Sequence, residues 1–153
     1  MIPFIPTQKD IELDTLKNYL QNEGLEFNDL LIDNQISEPV DIRYNSINYQ
    51  VTIGDKEKIE EMRRVTSKGE RYIKIRSVSN IAELLLRGAL TKKSTRSDSN
   101  TILLIEVSST GGLNWKDLEN EVSRWASANY LLCKGWKIIF LVFNNKNIKL
   151  KIK

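Results

Sequence analysis

Apolar and polar side chains alternate through residues 40–53 in a way that predicts two half-buried strands. Val40, Ile42 and Tyr44 alternate with Asp41 and Arg43, and Ile47, Tyr49, Val51 and Ile53 alternate with Asn48, Gln50 and Thr52. This is the period of two that a pleated strand imposes. Asn45-Ser46 divides the runs as a two-residue turn, with Asn at a position that tolerates positive φ. In the register this sets, Tyr44 faces Ile47, Ile42 faces Tyr49 and Asp41 faces Gln50. The apolar set then lies on one face, and Asp41, Gln50 and Thr52 gather on the other.

Elsewhere the period changes. Residues 8–22 carry Leu13, Leu16 and Leu20 on one helical stripe with Tyr19 beside it, and Gly24 is a natural stop. Residues 30–32 suit a short strand before the hairpin. Gly54-Asp55 breaks the second hairpin strand, and the charged residues 56–66 predict a short helix. Ser79 or Asn80 can cap a helix running to about Lys93, with Ile81, Leu84, Leu85 and Leu86 buried against a sheet. After a polar loop over 95–100, residues 101–107 and 137–143 are apolar on both faces, as in central parallel strands covered by helices. Residues 115–133 between them read as a helix with Leu118, Val122, Trp125 and Ala126 inward, and Gly111-Gly112 hinges the loop before it. Residues 147–153 alternate Ile148, Leu150 and Ile152 with lysines, which suits an edge strand. The expected fold is α/β: one mixed sheet that begins with a hairpin and continues with parallel strands, with helices on both faces.

A chain of 153 residues, 41% hydrophobic and 28% charged, suits one ordinary globular domain spanning residues 1–153. Its net charge of +3 hides an asymmetry, because residues 1–61 sum to −8 and residues 62–153 to +11. An acidic section able to hold a cation precedes a basic section able to hold a polyanion. Within the basic section Arg63, Arg64, Lys68, Arg71, Lys74 and Arg76 surround Tyr72, and they are candidates for phosphate contacts. The lone Cys133 excludes an internal disulfide. The absence of histidine excludes Ser-His-Asp and Cys-His hydrolases, His-ligated zinc and HNH-type nucleases. No apolar run has the length of a membrane span, and the opening Met-Ile-Pro-Phe-Ile-Pro lacks a basic-then-apolar signal, so a cytoplasmic protein without a membrane partner is expected.

The hairpin resembles the core motif of the PD-(D/E)XK nuclease superfamily, in the branch written Glu-Pro-Pro-Asp followed on the next strand by Glu-Val-Thr. Glu38, Pro39, Asp41, Val51 and Thr52 match, Val40 replaces the second Pro, and Gln50 stands where an acid is usual. The resemblance implies a restriction-endonuclease-like fold and a Mg²⁺- or Mn²⁺-dependent DNA endonuclease of restriction, homing or junction-resolving type. Asp41 and Gln50 would be side-chain ligands of the metal and the Val51 carbonyl a third. Glu12, on the first helix, is the candidate for the carboxylate that completes the site in part of the superfamily; its alternative is an ordinary acid near a helix start. Because Thr52 stands at the usual Lys position, Lys92 or Lys93 would assist at the scissile phosphate; their alternative is plain helix C-terminal cations. The partner implied is double-stranded DNA, and a chain of this size would cut a duplex as a homodimer or higher homo-oligomer. A neutral amide is a poorer Mg²⁺ ligand than a carboxylate. The alternative reading is therefore a catalytically inactive nucleic-acid-binding module of the same fold.

A competing assignment takes the acid of the motif from Glu106-Val107-Ser108 on the central strand, with Asp41 as its distant partner. It ranks second because about 65 residues separate the two, whereas the hairpin register already gives Asp41 a facing partner.

Overall fold

The computed structural model describes residues 7–36, 40–53, 78–93, 97–107, 115–143 and 146–150. They form helix α1 (Gln8–Asn22), a single 3₁₀ turn (Asp29–Leu31), strands β1 (Ile32–Asp33), β2 (Ile42–Tyr44) and β3 (Ile47–Ile53), and helix α2 (Val78–Lys93). Strand β4 (Thr101–Glu106), helices α3 (Trp115–Ala128) and α4 (Tyr130–Cys133), and strands β5 (Ile138–Val142) and β6 (Asn147–Lys149) complete them. The predicted helix over residues 56–66, the hinge at Gly111-Gly112 and the basic residues Arg63, Arg64, Lys68, Arg71, Lys74 and Arg76 lie outside the described residues.

The expected α/β class holds, with one six-stranded mixed sheet in the order β1-β2-β3-β4-β5-β6. β2 runs antiparallel to both β1 and β3, while β3, β4 and β5 run parallel, and β6 returns antiparallel to β5. The hairpin register is the predicted one: Ile42 faces Tyr49, Arg43 faces Asn48 and Tyr44 faces Ile47. Asn45 and Ser46 both have positive φ, at 49° and 65°, as a two-residue turn matched to the strand twist requires.

Alternation along the strands sorts the core into two layers. Tyr49 and Val51 of β3, Ile102 and Leu104 of β4, and Phe140 and Val142 of β5 pack under Leu16, Tyr19 and Leu20 of α1. On the other face Leu103, Ile105, Ile139 and Leu141 meet Ala82, Leu86, Ala89 and Leu90 of α2 and Val122, Trp125 and Ala126 of α3. Because β3 and β4 pair Gln50 with Leu103 and Thr52 with Ile105, Gln50 and Thr52 belong to the face that α2 covers.

The ends of α1 explain its length. Thr7 and Asp10 form a reciprocal capping box. At the other end the Leu25 N–H reaches the Leu20 carbonyl and the Gly24 N–H reaches that of Gln21. This is the Schellman pattern, with Gly24 at φ 76° in the left-handed position.

Two expectations need correction. The strand predicted over 30–32 is a 3₁₀ turn followed by a two-residue strand, because the Asn28 side chain accepts from the Leu30 N–H and turns the chain. The helix predicted over 115–133 is broken at Asn129, whose side-chain amide donates to the Trp125 carbonyl and caps α3. The final strand pairs with β5 over Asn147–Lys149, and the Leu150 N–H donates to the Ile139 carbonyl at 2.9 Å; residues 151–153 lie outside the described residues. Among the described residues no helix is long and apolar enough to cross a membrane.

Candidate functional site

The candidate site forms where β2 gives out beside the longer β3. In this pairing the main-chain groups of Ile47, Tyr49 and Val51 point toward β2, since the N–H and C=O of one strand residue project to the same side. β2 begins at Ile42, so the Val51 groups reach past its end. Asp41 occupies that gap. Its N–H donates to the Tyr49 carbonyl at 2.9 Å, and its Oδ2 accepts the Val51 N–H at 2.9 Å. The carboxylate thus takes the place of the carbonyl a longer β2 would supply, and the Val51 carbonyl points into the same gap.

A cation from another element meets this acid. Lys93, in the last turn of α2, places Nζ 3.6 Å from Asp41 Oδ2, with side chains only 9% and 14% exposed respectively. Lys93 is therefore no solvated helix-end lysine. It continues the buried stripe of Ala82, Leu86, Ala89 and Leu90, so its stem packs inward and carries the ammonium to the sheet edge. The side chain of Lys92 lies outside the described residues, as do Glu38 and Pro39.

Gln50 follows Tyr49 on β3, just beyond the last hairpin pair, and has no exposed surface. Thr52, two residues on along the same face, is buried, and its Oγ1 has no hydrogen-bond partner among the described residues. A buried hydroxyl left without a partner is costly. Asp41 is the open end of the group. It lines a cavity of about 320 Å³ with Lys9 and Leu13 of α1, Ile32 and Asn34 around β1, and Ile42. Lys9 and Asn34 were not singled out by the sequence pattern, because the cavity draws on three segments that only the fold brings together.

Glu106 lies on the other face of the sheet from Gln50 and Thr52. Glu106 pairs with Ile53 across β3 and β4, on the face that α1 covers, where its Oε2 accepts from the Thr15 hydroxyl at 3.3 Å. Glu12 is buried on the same side of α1 as Thr15 and Leu16. Gln50 and Glu106 thus fall on opposite faces of the sheet, Gln50 toward α2 and Glu106 toward α1, while Asp41 at the edge meets Lys93 of α2 and also lines the cavity beside α1.

A second polar cluster locks α2 to α3. Glu83 accepts from the Arg87 guanidinium and from the Trp125 indole N–H, while Arg87 also donates to Asn129 Oδ1 at 2.9 Å. These hydrogen bonds, that from Arg87 first and that from Trp125 second, hold the Glu83 carboxyl below the usual glutamate range. The spacing of four between Glu83 and Arg87 was the signal available in the sequence.

The Asp41 edge offers a carboxylate oxygen and the Val51 main-chain carbonyl, and the preceding β3 residue, Gln50, carries a carboxamide oxygen. All are hard oxygen donors, which suit Mg²⁺, Mn²⁺ or Ca²⁺ rather than a softer metal. Among the described residues no three Asp, Glu or Cys side chains gather at one point, so a cation here would rest on this mixed set with one carboxylate. Compared with known proteins, the chain matches no protein family, no curated sequence and no solved structure.

Proposed function

We propose that the protein is a metal-dependent endonuclease of the PD-(D/E)XK type, hydrolysing phosphodiester bonds in DNA. The observation that carries this reading is the meeting of Asp41, the Val51 main chain and the Lys93 ammonium where β2 ends beside β3. The spacing of the motif and the migration of the lysine to a helix both agree with what the resemblance implies.

Asp41, Gln50 and the Val51 carbonyl would hold the cation, which supplies a polarised phosphate and an activated water when bound. Asp41 is fixed for that task because its position is set twice, through its own N–H and through its carboxylate. Lys93 supplies a positive charge for the oxygens on which negative charge grows as the phosphorus is attacked. A preformed cation in a site with little water is worth far more there than at a wet surface. The basic second section of the sequence gives sequence-independent, salt-sensitive affinity for a nucleic-acid backbone, and a symmetric oligomer would present two such sites to a duplex.

A second reading, a nucleic-acid-binding module without catalysis, draws on one observation: Gln50 is neutral and wholly buried. Incubating supercoiled plasmid with purified protein and Mg²⁺ or Mn²⁺ separates the two. The nuclease reading expects nicked or linear product with the wild type and none with Asp41→Asn. Salt-sensitive binding without cutting in either metal supports the module. Neither binding nor cutting at low salt overturns both.

A further inference from the structure

Lys93 and Asp41 neutralise one another in the interior, and their pairing bears on how a cation enters the candidate site. We propose that the Lys93 ammonium is the resting counter-ion of that site, and that a divalent cation binds by displacing it from Asp41. The inference rests on the nuclease reading and adds a coupling to it: the released ammonium becomes free to take a phosphate oxygen, so cation and nucleic acid bind cooperatively.

The geometry points to exchange rather than to a permanent bridge. Asp41 Oδ2 already holds the Val51 N–H at 2.9 Å, and the ammonium stands off at 3.6 Å. A charge-assisted hydrogen bond is tighter, at about 2.7–2.9 Å, so this contact is ionic and loosely held. With both side chains largely out of water, the charges need each other at rest. A divalent cation on the same carboxylate would sit within a few ångströms of the ammonium, and like charges repel strongly where water is scarce. The flexible lysine stem allows the ammonium to withdraw. A second acceptor is available on the same face of β3, since the buried Thr52 Oγ1 has no partner among the described residues.

By linkage, whatever draws the ammonium away from Asp41 raises cation affinity, and a bound cation raises affinity for a backbone phosphate by the same factor. Replacing Lys93 with an uncharged side chain removes both the competitor and the coupling.

Calcium chloride alone, titrated calorimetrically into wild type and Lys93→Met, tests the exchange. The expected result is calcium affinity at least about tenfold higher in the variant, because the net charge around the ligands becomes more negative. The wild type is expected to bind calcium more tightly when an uncut DNA duplex is present, and the variant to show no such gain. If Lys93→Met does not fold, amine-directed labelling of the wild type read by peptide mass spectrometry decides the matter. Labelling of Lys93 should rise several-fold on adding calcium. Calcium binding with unchanged Lys93 labelling, or equal affinity in both proteins, overturns the exchange and leaves the cation site standing. Absence of calcium binding in both proteins overturns the exchange together with the cation site on which it depends.

Discussion

The Asp41 carboxylate accepts the Val51 N–H at 2.9 Å, in the place where a carbonyl of β2 would stand had that strand begun two residues earlier. The same oxygen faces the Lys93 ammonium. One side chain therefore completes a sheet edge and balances a buried charge, and its replacement should cost stability as well as any activity. Asp41→Ala leaves the N–H without its acceptor and the ammonium without its acid, and is expected to destabilise by about 3 kcal/mol. Asp41→Asn retains an oxygen for Val51 and should lose about half as much. Urea unfolding of the three proteins at neutral pH checks the order; equal losses for Asn and Ala would show that the hydrogen bond to Val51 contributes nothing.

The Glu83 cluster predicts a pH dependence with a definite sign. Its carboxyl is held below the ordinary range by the hydrogen bonds from Arg87 and Trp125, so the folded state favours the ionised form. That contribution is fully present above the ordinary glutamate value and is lost as pH falls through the lowered one. Between about pH 6 and about pH 3, Glu83→Gln should lose less stability than the wild type does. Unfolding curves across that range give the comparison, and parallel losses would remove the cluster from the account of acid sensitivity.

Cys133 is fully buried against the α2 and α3 layer, and burial pushes its thiol up to about 11. Near pH 8 it holds almost no thiolate, which is the reactive form. Its reaction with an aromatic disulfide reagent should be at least about 100-fold slower in the folded protein than in urea. A fast reaction under native conditions would mean that the α4 segment opens readily.

Two backbone positions give opposite expectations from one cause. Ser46 holds φ 65° without being glycine, so Ser46→Gly creates the Asn-Gly pair preferred in such turns and should stabilise by about 1 kcal/mol, a rise in Tm of about 2–4 °C. Gly24, also at positive φ, has open space around the position of a Cβ. Gly24→Ala therefore meets no clash, and its loss of about 1 kcal/mol should come from the backbone alone. Calorimetric melting of both variants tests the pair.

Legibility in the sequence followed the range of the forces involved. The hairpin was readable because its turn and its alternation are local, and β4 and β5 because burial on both faces leaves an unbroken apolar run. The segment 30–32 was not, since Leu30 is 90% exposed and its apolar character buries nothing. That Lys93 turns inward was written in the helix period, because it follows Ala82, Leu86, Ala89 and Leu90 along one stripe. The same stripe logic, Leu16, Tyr19 and Leu20 on α1, marks Glu12 as inward-facing. No local pattern could say on which face of the sheet each acid would fall. That depends on the pairing of β3 with β4, between segments about fifty residues apart.

The spatial order of the strands equals their order along the chain, which gives assembly a direction. Each described strand can dock on the one made just before it, and among them none must be inserted between two already paired, which keeps the search for partners short. On a growing chain, Asp41 and Val51 meet within ten residues of each other, while Lys93 emerges from the ribosome some forty residues later. The acid is thus seated at the hairpin while still wet, and it becomes a buried charge at the moment its counter-charge arrives.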